Sequence, residues 1–249
     1  YIKLYLKLKD LYWNRFSSIW LEQTNTEPEK FIHEDISIAC YLILVWRHFN
    51  ASVNCFVDMG CGNGLLVYIL NDQGYRGYGI DMRRRKIWSN EFYEKSNIKL
   101  IEKTIEPGKI LFNQGEDWLI GNHSDELSPW LASIAYKTQH LFGHECNYFL
   151  IPCCLFDFTS KFNLKEKNES RNDTYLNYLN KIGESFEFKI YKDKLRIPST
   201  RNVCFIGLSK KDENNNKNHN LIIDEIISEK INNLSLTSTN KIEEFRARD

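Results

Sequence analysis

The residues able to do chemistry in this 249-residue chain gather in a few short stretches. Gly60, Gly62 and Gly64 alternate with Cys61 and Asn63 just after Asp58, and Asp81 with Met82 follows further on. Glycines let the backbone turn sharply and approach a ligand. An acid about twenty residues past such a turn is where a nucleotide-binding α/β unit keeps its ribose contact. His123, Asp125 and Glu126 sit in one run of proton-handling side chains, and Cys153 and Cys154 follow Pro152, with Asp157 and Lys161 soon after. The densest cationic run is Arg83-Arg84-Arg85-Lys86; Arg196, Ser199, Thr200 and Arg201 surround Pro198. Such cations either contact phosphates or form a solvated face or turn.

Strands and helices in alternation would position these groups. Cys55-Phe56-Val57 leads into the glycine turn, and Leu65, Leu66, Val67, Ile69 and Leu70 follow at helical spacing. Tyr75 to Ile80 reads as a second strand ending at Asp81, Asn97 to Lys103 as a third, and Asp117 to His123 as a fourth that opens into the acidic loop. Asn147 to Ile151 is a fifth, stopped by Pro152. Helices are predicted over Leu131 to Leu141 and Tyr175 to Ile182. Phe186 to Ile190 and Val203 to Leu208, with a polar link between them, predict a terminal antiparallel pair.

The flanks divide the chain into three. Residues 1–52 form an N-terminal helical extension, with Leu4, Leu8, Leu11 and Tyr12 on one face of a first helix and Asp35 capping a second that runs to Trp46. Residues 53–209 form the α/β domain, in which the polar stretch Lys165 to Asp173 is expected to be mobile. Residues 210–249 comprise an asparagine-rich linker, Lys210 to Asn220, then a stripe of Leu221, Ile222, Ile226, Ile227, Ile231 and Leu234, and a charged tail.

Composition narrows the function classes. With 33 basic and 33 acidic residues the net charge is zero, so attraction to nucleic acid has to be local. Seven cysteines form no CxxC pair and no Cys/His spacing suited to zinc. No metal is therefore expected, and the odd count favours a reducing compartment, cytosol or nucleus, with a cytoplasmic location as the expectation. The longest apolar segment, Ile38 to Trp46, falls far short of the roughly 20 residues that cross a bilayer, and no secretory signal is visible. His33 and His48 read as packing or surface residues. The chain begins at Tyr1 instead of Met, which leaves its native terminus open.

The glycine turn chooses between cofactors. A dinucleotide fingerprint wants a third small residue where Leu65 stands, whereas Asp58-x-Gly60-x-Gly62-x-Gly64 has the acid-and-glycine spacing of S-adenosylmethionine sites. Asp58, Gly60, Cys61, Gly62, Asn63, Gly64, Asp81 and Met82 are the expected cofactor contacts. A dehydrogenase remains the alternative.

Longer blocks carry a resemblance. Phe56 to Trp88, Asp117 to Trp130 (DWLIGNHSDELSPW), Leu150 to Phe158 (LIPCCLFDF) and Leu195 to Gly207 (LRIPSTRNVCFIG) closely resemble the tRNA (uracil-2'-O-)-methyltransferases, and so does EDISIA from Glu34 to Ala39. The likeness stops after Gly207. It implies a class I, Rossmann-like S-adenosylmethionine-dependent methyltransferase fold, and methylation of the ribose of a uridine beside the variable arm of serine tRNA. In that reading Arg83, Arg84, Arg85, Lys86, Arg196 and Arg201 contact RNA, and Asp125, with His123 and Glu126 beside it, orients the hydroxyl or takes its proton. Two alternatives stay open: Asp125 as a helix cap, and Cys153 or Cys154 as nucleophile of a carbon-5 pyrimidine methyltransferase or as a plain packing residue. A cofactor-binding but inactive RNA-binding subunit is a further class.

Overall fold

An aromatic stripe, more than leucines, buries the first helix. In the computed structural model, which describes residues 1–113, 115–210 and 220–234 (the side chains of 220–222 excepted), helix α1 (Ile2–Gln23) lines up Leu8, Tyr12, Phe16 and Trp20 at four-residue spacing. Leu11, expected on that face, is 39% exposed. Rings bury more area than leucines and carry polar handles. The Tyr12 hydroxyl donates to Asp72 at 2.6 Å and accepts from Gln73 at 2.7 Å, while Arg15 donates to the Tyr68 hydroxyl at 2.7 Å.

The chain divides into two compact units, Tyr1–Thr104 with Lys194–Val203, and Ile105–Asp193 with Cys204–Asp249. In the first, α1 packs along α2 (Pro28–His48). Proline at the first helical turn starts α2, where its missing N–H costs nothing. Asp35, expected as the cap, therefore lies inside the helix. Then come β1 (Phe56–Met59), α3 (Leu65–Asp72), β2 (Gly77–Asp81), α4 (Glu91–Lys95) and β3 (Lys99–Glu102). The strands run in the order β3-β2-β1, all parallel, with Met59 opposite Ile80 and Asp81 opposite Glu102. This register puts the carboxyl ends of β1 and β2 side by side. Gly77 has no side chain because a Cβ there would lie 2.4 Å from the Phe56 ring.

The second unit contains β4 (Trp118–Asn122), α5 (Leu131–Phe142), β5 (Asn147–Ile151), α6 (Arg171–Ser185), β6 (Phe188–Lys194), β7 (Val203–Ser209) and α7 (Asn220–Leu234). Its strand order is β4-β5-β7-β6. β4 and β5 are parallel with Asn122 opposite Ile151, and β7 reverses direction against β5 with Gly207 opposite Tyr148. β7 and β6 form the expected terminal pair. Helix α6 begins at Arg171 instead of Tyr175 because Ser170 caps it, accepting from the Asp173 N–H at 3.0 Å.

Helix α7 packs on α5, with Lys137 paired to Asp224 at 2.7 Å and the Lys230 ammonium 5.5 Å from the Tyr136 ring centre. Ile223 and Ile231 are its buried apolar residues. The side chains of Leu221 and Ile222, most of the asparagine-rich linker and the charged tail lie outside the described residues. Among the described residues no helix is long and apolar enough to cross a membrane, and none of the seven cysteines is in a disulfide.

Candidate active site

The glycine turn is tied to the end of β2 through its backbone. The N–H groups of Gly60 and Cys61 both donate to the Ile80 carbonyl, at 2.8 and 3.0 Å, and the Gly64 N–H donates to the Cys61 carbonyl at 2.8 Å. Gly60, Gly62 and Gly64 all have left-handed φ, of 84°, 54° and 77°. This conformation is relaxed for glycine and strained for other residues. A Cβ on Gly62 would meet nothing within 4 Å, so open space lies beside that backbone.

Asp81 is fixed at the mouth of this turn. Its Oδ2 accepts from the Gly62 N–H at 2.9 Å, and its Oδ1 accepts from the Arg83 N–H at 3.0 Å and from the Arg85 guanidinium at 3.4 Å. A carboxylate offers about four acceptor sites. With three taken, Oδ2 keeps one for a ribose hydroxyl, and the long Arg85 contact is the one a second hydroxyl would displace. Trp88, which sequence reasoning did not single out, donates its indole N–H to the Gly62 carbonyl at 3.0 Å and fixes the turn from the other side. Its 26-residue separation from Gly62 leaves no local signal.

Asp58 lies beneath the turn, 1% exposed, and its Oδ1 has no hydrogen-bond partner. Burial, with the neighbouring Asp81 charge as a lesser cause, pushes its pKa up to about 8. An orphaned carboxyl oxygen, a glycine cradle with open space and an acid with one acceptor site left together fit a cationic, ribose-bearing cofactor. Asp58, Gly60, Gly62, Gly64 and Asp81 are the residues that would hold it. Burial, then the nearby carboxylates of Asp58 and Asp81, raises the pKa of the Cys61 thiol and keeps it neutral, while Met82 is 36% exposed beside Asp81.

In the second unit the acidic loop follows β4. The His123 N–H donates to the Ile151 carbonyl at 3.0 Å, which extends the β4–β5 pairing by one step. His123 and Asp125 then both adopt left-handed φ, 52° and 42°, a conformation that strains residues with a side chain. Asp125 opens a short 3₁₀ turn, Asp125–Leu127, with no side-chain cap bond. Its Oδ1 instead accepts from the Cys153 thiol at 2.8 Å, joining the loops that follow β4 and β5. Ser124 stands at the cap position of this turn and Asp125 is its first residue, so Asp125 is not the cap. The same two loops are strapped again where the Trp130 indole N–H donates to the Phe158 carbonyl at 2.9 Å. Burial and the Asp125 carboxylate push the Cys153 thiol well above its ordinary range, so it is a poor nucleophile.

The remaining candidates separate. Asp157 is 3% exposed and accepts from the Tyr178 hydroxyl and from the Phe158 N–H, a structural position, while Lys161 is exposed. Arg83 to Lys86 are all exposed, in the loop entering the 3₁₀ turn Lys86–Ser89. Arg84 donates to Ser89 at 3.1 Å and Lys86 to the Glu22 carbonyl at 3.0 Å. Around Pro198 the Arg201 N–H donates to Ser199 at 3.1 Å and the Leu195 N–H to the Asn202 carbonyl at 2.7 Å, so this link is first of all a turn.

Comparison with known proteins bears on what these sites do. Residues 1–107, which hold the glycine turn and Asp81, match the family described as predicted AdoMet-dependent methyltransferase. The chain is 43% identical over 215 residues to a probable tRNA (uracil-O(2)-)-methyltransferase of Xenopus laevis, covering 84% of this chain and 31% of that protein. The chain is a relative of the tRNA (uracil-O(2)-)-methyltransferases. The human protein of the same description is 41% identical, with 84% of this chain and 27% of its own length covered; the Schizosaccharomyces pombe tRNA (uracil-O(2)-)-methyltransferase is 37% identical, with 82% and 46% covered. The chain thus spans less than half the length of each of these relatives.

The fold is the class I, Rossmann-like methyltransferase fold with N-terminal helices and a terminal antiparallel pair, and its cofactor is S-adenosylmethionine. A solved N1-methyltransferase of Burkholderia thailandensis, titled with bound 1,6-didemethyltoxoflavin and S-adenosylhomocysteine, superposes with a TM-score of 0.49 at 9% identity over 83% of this chain and 90% of its own. That likeness carries no argument about site or substrate.

Proposed function

We propose that this chain is the methyl-transfer domain of a tRNA 2'-O-methyltransferase acting on the ribose of a uridine, in serine tRNA by resemblance. The observation that carries the reading is Asp125. A strained loop at the end of β4 presents a carboxylate that caps no helix and is fixed by Cys153 through one oxygen. Its other oxygen is the acceptor for the ribose hydroxyl.

The cofactor supplies a methyl group on a sulfonium, ready for in-line displacement. The protein's work is then positional. Asp81 would hold the ribose hydroxyls and the glycine turn would let its backbone approach the rest of the cofactor, with Met82 exposed beside them. Asp125 Oδ2 would accept the hydrogen of the acceptor 2'-hydroxyl. Asp125 would be the group that takes the hydroxyl proton during transfer. His123 and Glu126 share its loop, half-buried, and serve as positioning groups there. Arg83, Arg84, Arg85 and Lys86 are the phosphate contacts, with Arg196 and Arg201 as a second set.

The neutral Cys153 thiol, already engaged by Asp125, argues against carbon-5 chemistry. Methyl transfer from labelled cofactor to a tRNA pool, followed by mapping of ribose methylation, tests the proposal. Asp125→Asn is expected to leave cofactor affinity unchanged and to lower turnover by about 100-fold, the lower end for loss of a proton-handling group. Unchanged turnover refutes the assignment. Binding of cofactor and tRNA with no transfer by the parent protein favours the inactive RNA-binding subunit.

A further inference from the structure

We infer that Asp125, Cys153 and Cys154 form a binding site for a thiophilic divalent cation, zinc in the first instance. One donor atom from each lies within 4.8 Å of the other two. A tetrahedral zinc with Zn–S near 2.3 Å and Zn–O near 2.1 Å spaces two sulfurs about 3.8 Å apart and a sulfur and an oxygen about 3.6 Å apart. Small side-chain adjustments cover the difference, since Cys153 Sγ already stands 2.8 Å from Asp125 Oδ1.

The site rests on a rigid base. Its residues come from the loops that follow two parallel strands, joined by His123 N–H to Ile151 and Trp130 to Phe158. All three residues are half-buried, and solvent would supply the fourth ligand of a tetrahedral ion. Two thiolates and one carboxylate are a borderline-soft donor set that selects zinc or cadmium over magnesium or calcium. Binding exchanges two thiol protons for one cation, so two protons are released and the centre carries one net negative charge. Zinc-site spacing rules look for cysteines separated by a few residues. Adjacent cysteines completed by an acid 28 residues upstream of Cys153 fall outside them.

The inference shares Asp125 and Cys153 with the tRNA reading, and coordination would replace the thiol-to-carboxylate hydrogen bond in fixing Asp125; its test is separate, because cation binding is measured without RNA or cofactor. Chelator-treated, reduced protein would be titrated with Co2+ and followed by absorption. The expected result is one equivalent per chain, with thiolate-to-cobalt charge transfer in the near ultraviolet, tetrahedral ligand-field bands in the visible, and loss of both on adding Zn2+. Cys153→Ser with Cys154→Ser should abolish the charge-transfer band. Asp125→Asn should keep a thiolate band and weaken binding tenfold or more. Cys55→Ser, at a half-buried cysteine elsewhere, should change nothing.

Absence of the band in the parent protein overturns the inference, as does a band that persists in the double variant. Circular dichroism of the double variant without metal reports its folding. If it does not fold, Cys154→Ala alone decides: a titration identical to the parent's excludes the three-residue site, and a weakened one supports it. A protein that binds cobalt but methylates no tRNA disproves only the function proposed above.

Discussion

Asp58 should couple cofactor binding to pH. Burial holds its pKa near 8 in the free protein, so at pH 7 about ten molecules carry a neutral carboxyl for each that is ionised. A cationic cofactor beside the unpartnered Oδ1 favours the ionised form. Binding at pH 7 should therefore release about 0.9 proton, falling to about 0.1 at pH 9, and affinity should drop roughly tenfold for each pH unit below 8.

Calorimetry in buffers of differing ionisation enthalpy measures the proton count directly. Asp58→Asn should remove both the release and the pH dependence. Stability of the free protein carries the same signature. The folded pKa lies above the ordinary value of 3.8, so the contribution is fully present below about pH 4 and is lost as pH rises through about 8. The slope is about 1.4 kcal/mol per unit for one proton, and Asp58→Asn should flatten it. Cofactor affinity that stays constant from pH 6 to 9 in the parent protein, with no proton exchanged, would refute the reasoning.

Other substitutions probe single interactions. Gly62→Ala places a methyl in the open space of the turn at φ 54°, and cofactor affinity should fall by roughly tenfold, about 1.4 kcal/mol; Gly74→Ala, at φ 88° with equal space, should cost similar backbone strain without touching affinity. Gly207→Ala drives a Cβ to within 2.1 Å of the Tyr148 ring and should destabilise the second unit by about 1–3 kcal/mol in urea unfolding. Trp130→Phe leaves the Phe158 carbonyl without its donor and should cost about 1–3 kcal/mol in the same assay. Arg83→Gln with Arg84→Gln should make tRNA affinity less sensitive to salt. The slope of log affinity against log salt should shrink by roughly 0.7 to 0.9 for each phosphate that the variant no longer neutralises.

Local pattern in the sequence determined much of the frame. Apolar run, glycine turn and helical spacing placed β1 and α3, Pro152 ended β5 at Ile151, the interval from the glycines to Asp81 pointed to a nucleotide-binding unit, and Leu65 with the Asp58-x-Gly60-x-Gly62-x-Gly64 spacing pointed to S-adenosylmethionine. The blocks around Asp125 and Cys153 carried the resemblance. These signals are legible because they repeat every two to four residues, or because a turn demands a particular residue type. Element starts were less legible. The cap of α2 and the buried face of α1 follow from Pro28 and from rings meeting α3, and hydrophobic period alone does not rank those above a leucine.

Tertiary structure alone decided the side-chain partners. Parallel strands are joined by long crossovers, so their register is fixed by packing and not by neighbours in the chain. That register brings Gly62 to Asp81, leaves Asp58 Oδ1 without a partner and sets the ends of β4 and β5 together. It also turned Cys153 from a candidate nucleophile into the group that holds Asp125. A cluster of two thiols and a carboxylate then stands where spacing along the chain gave no reason to look for a metal.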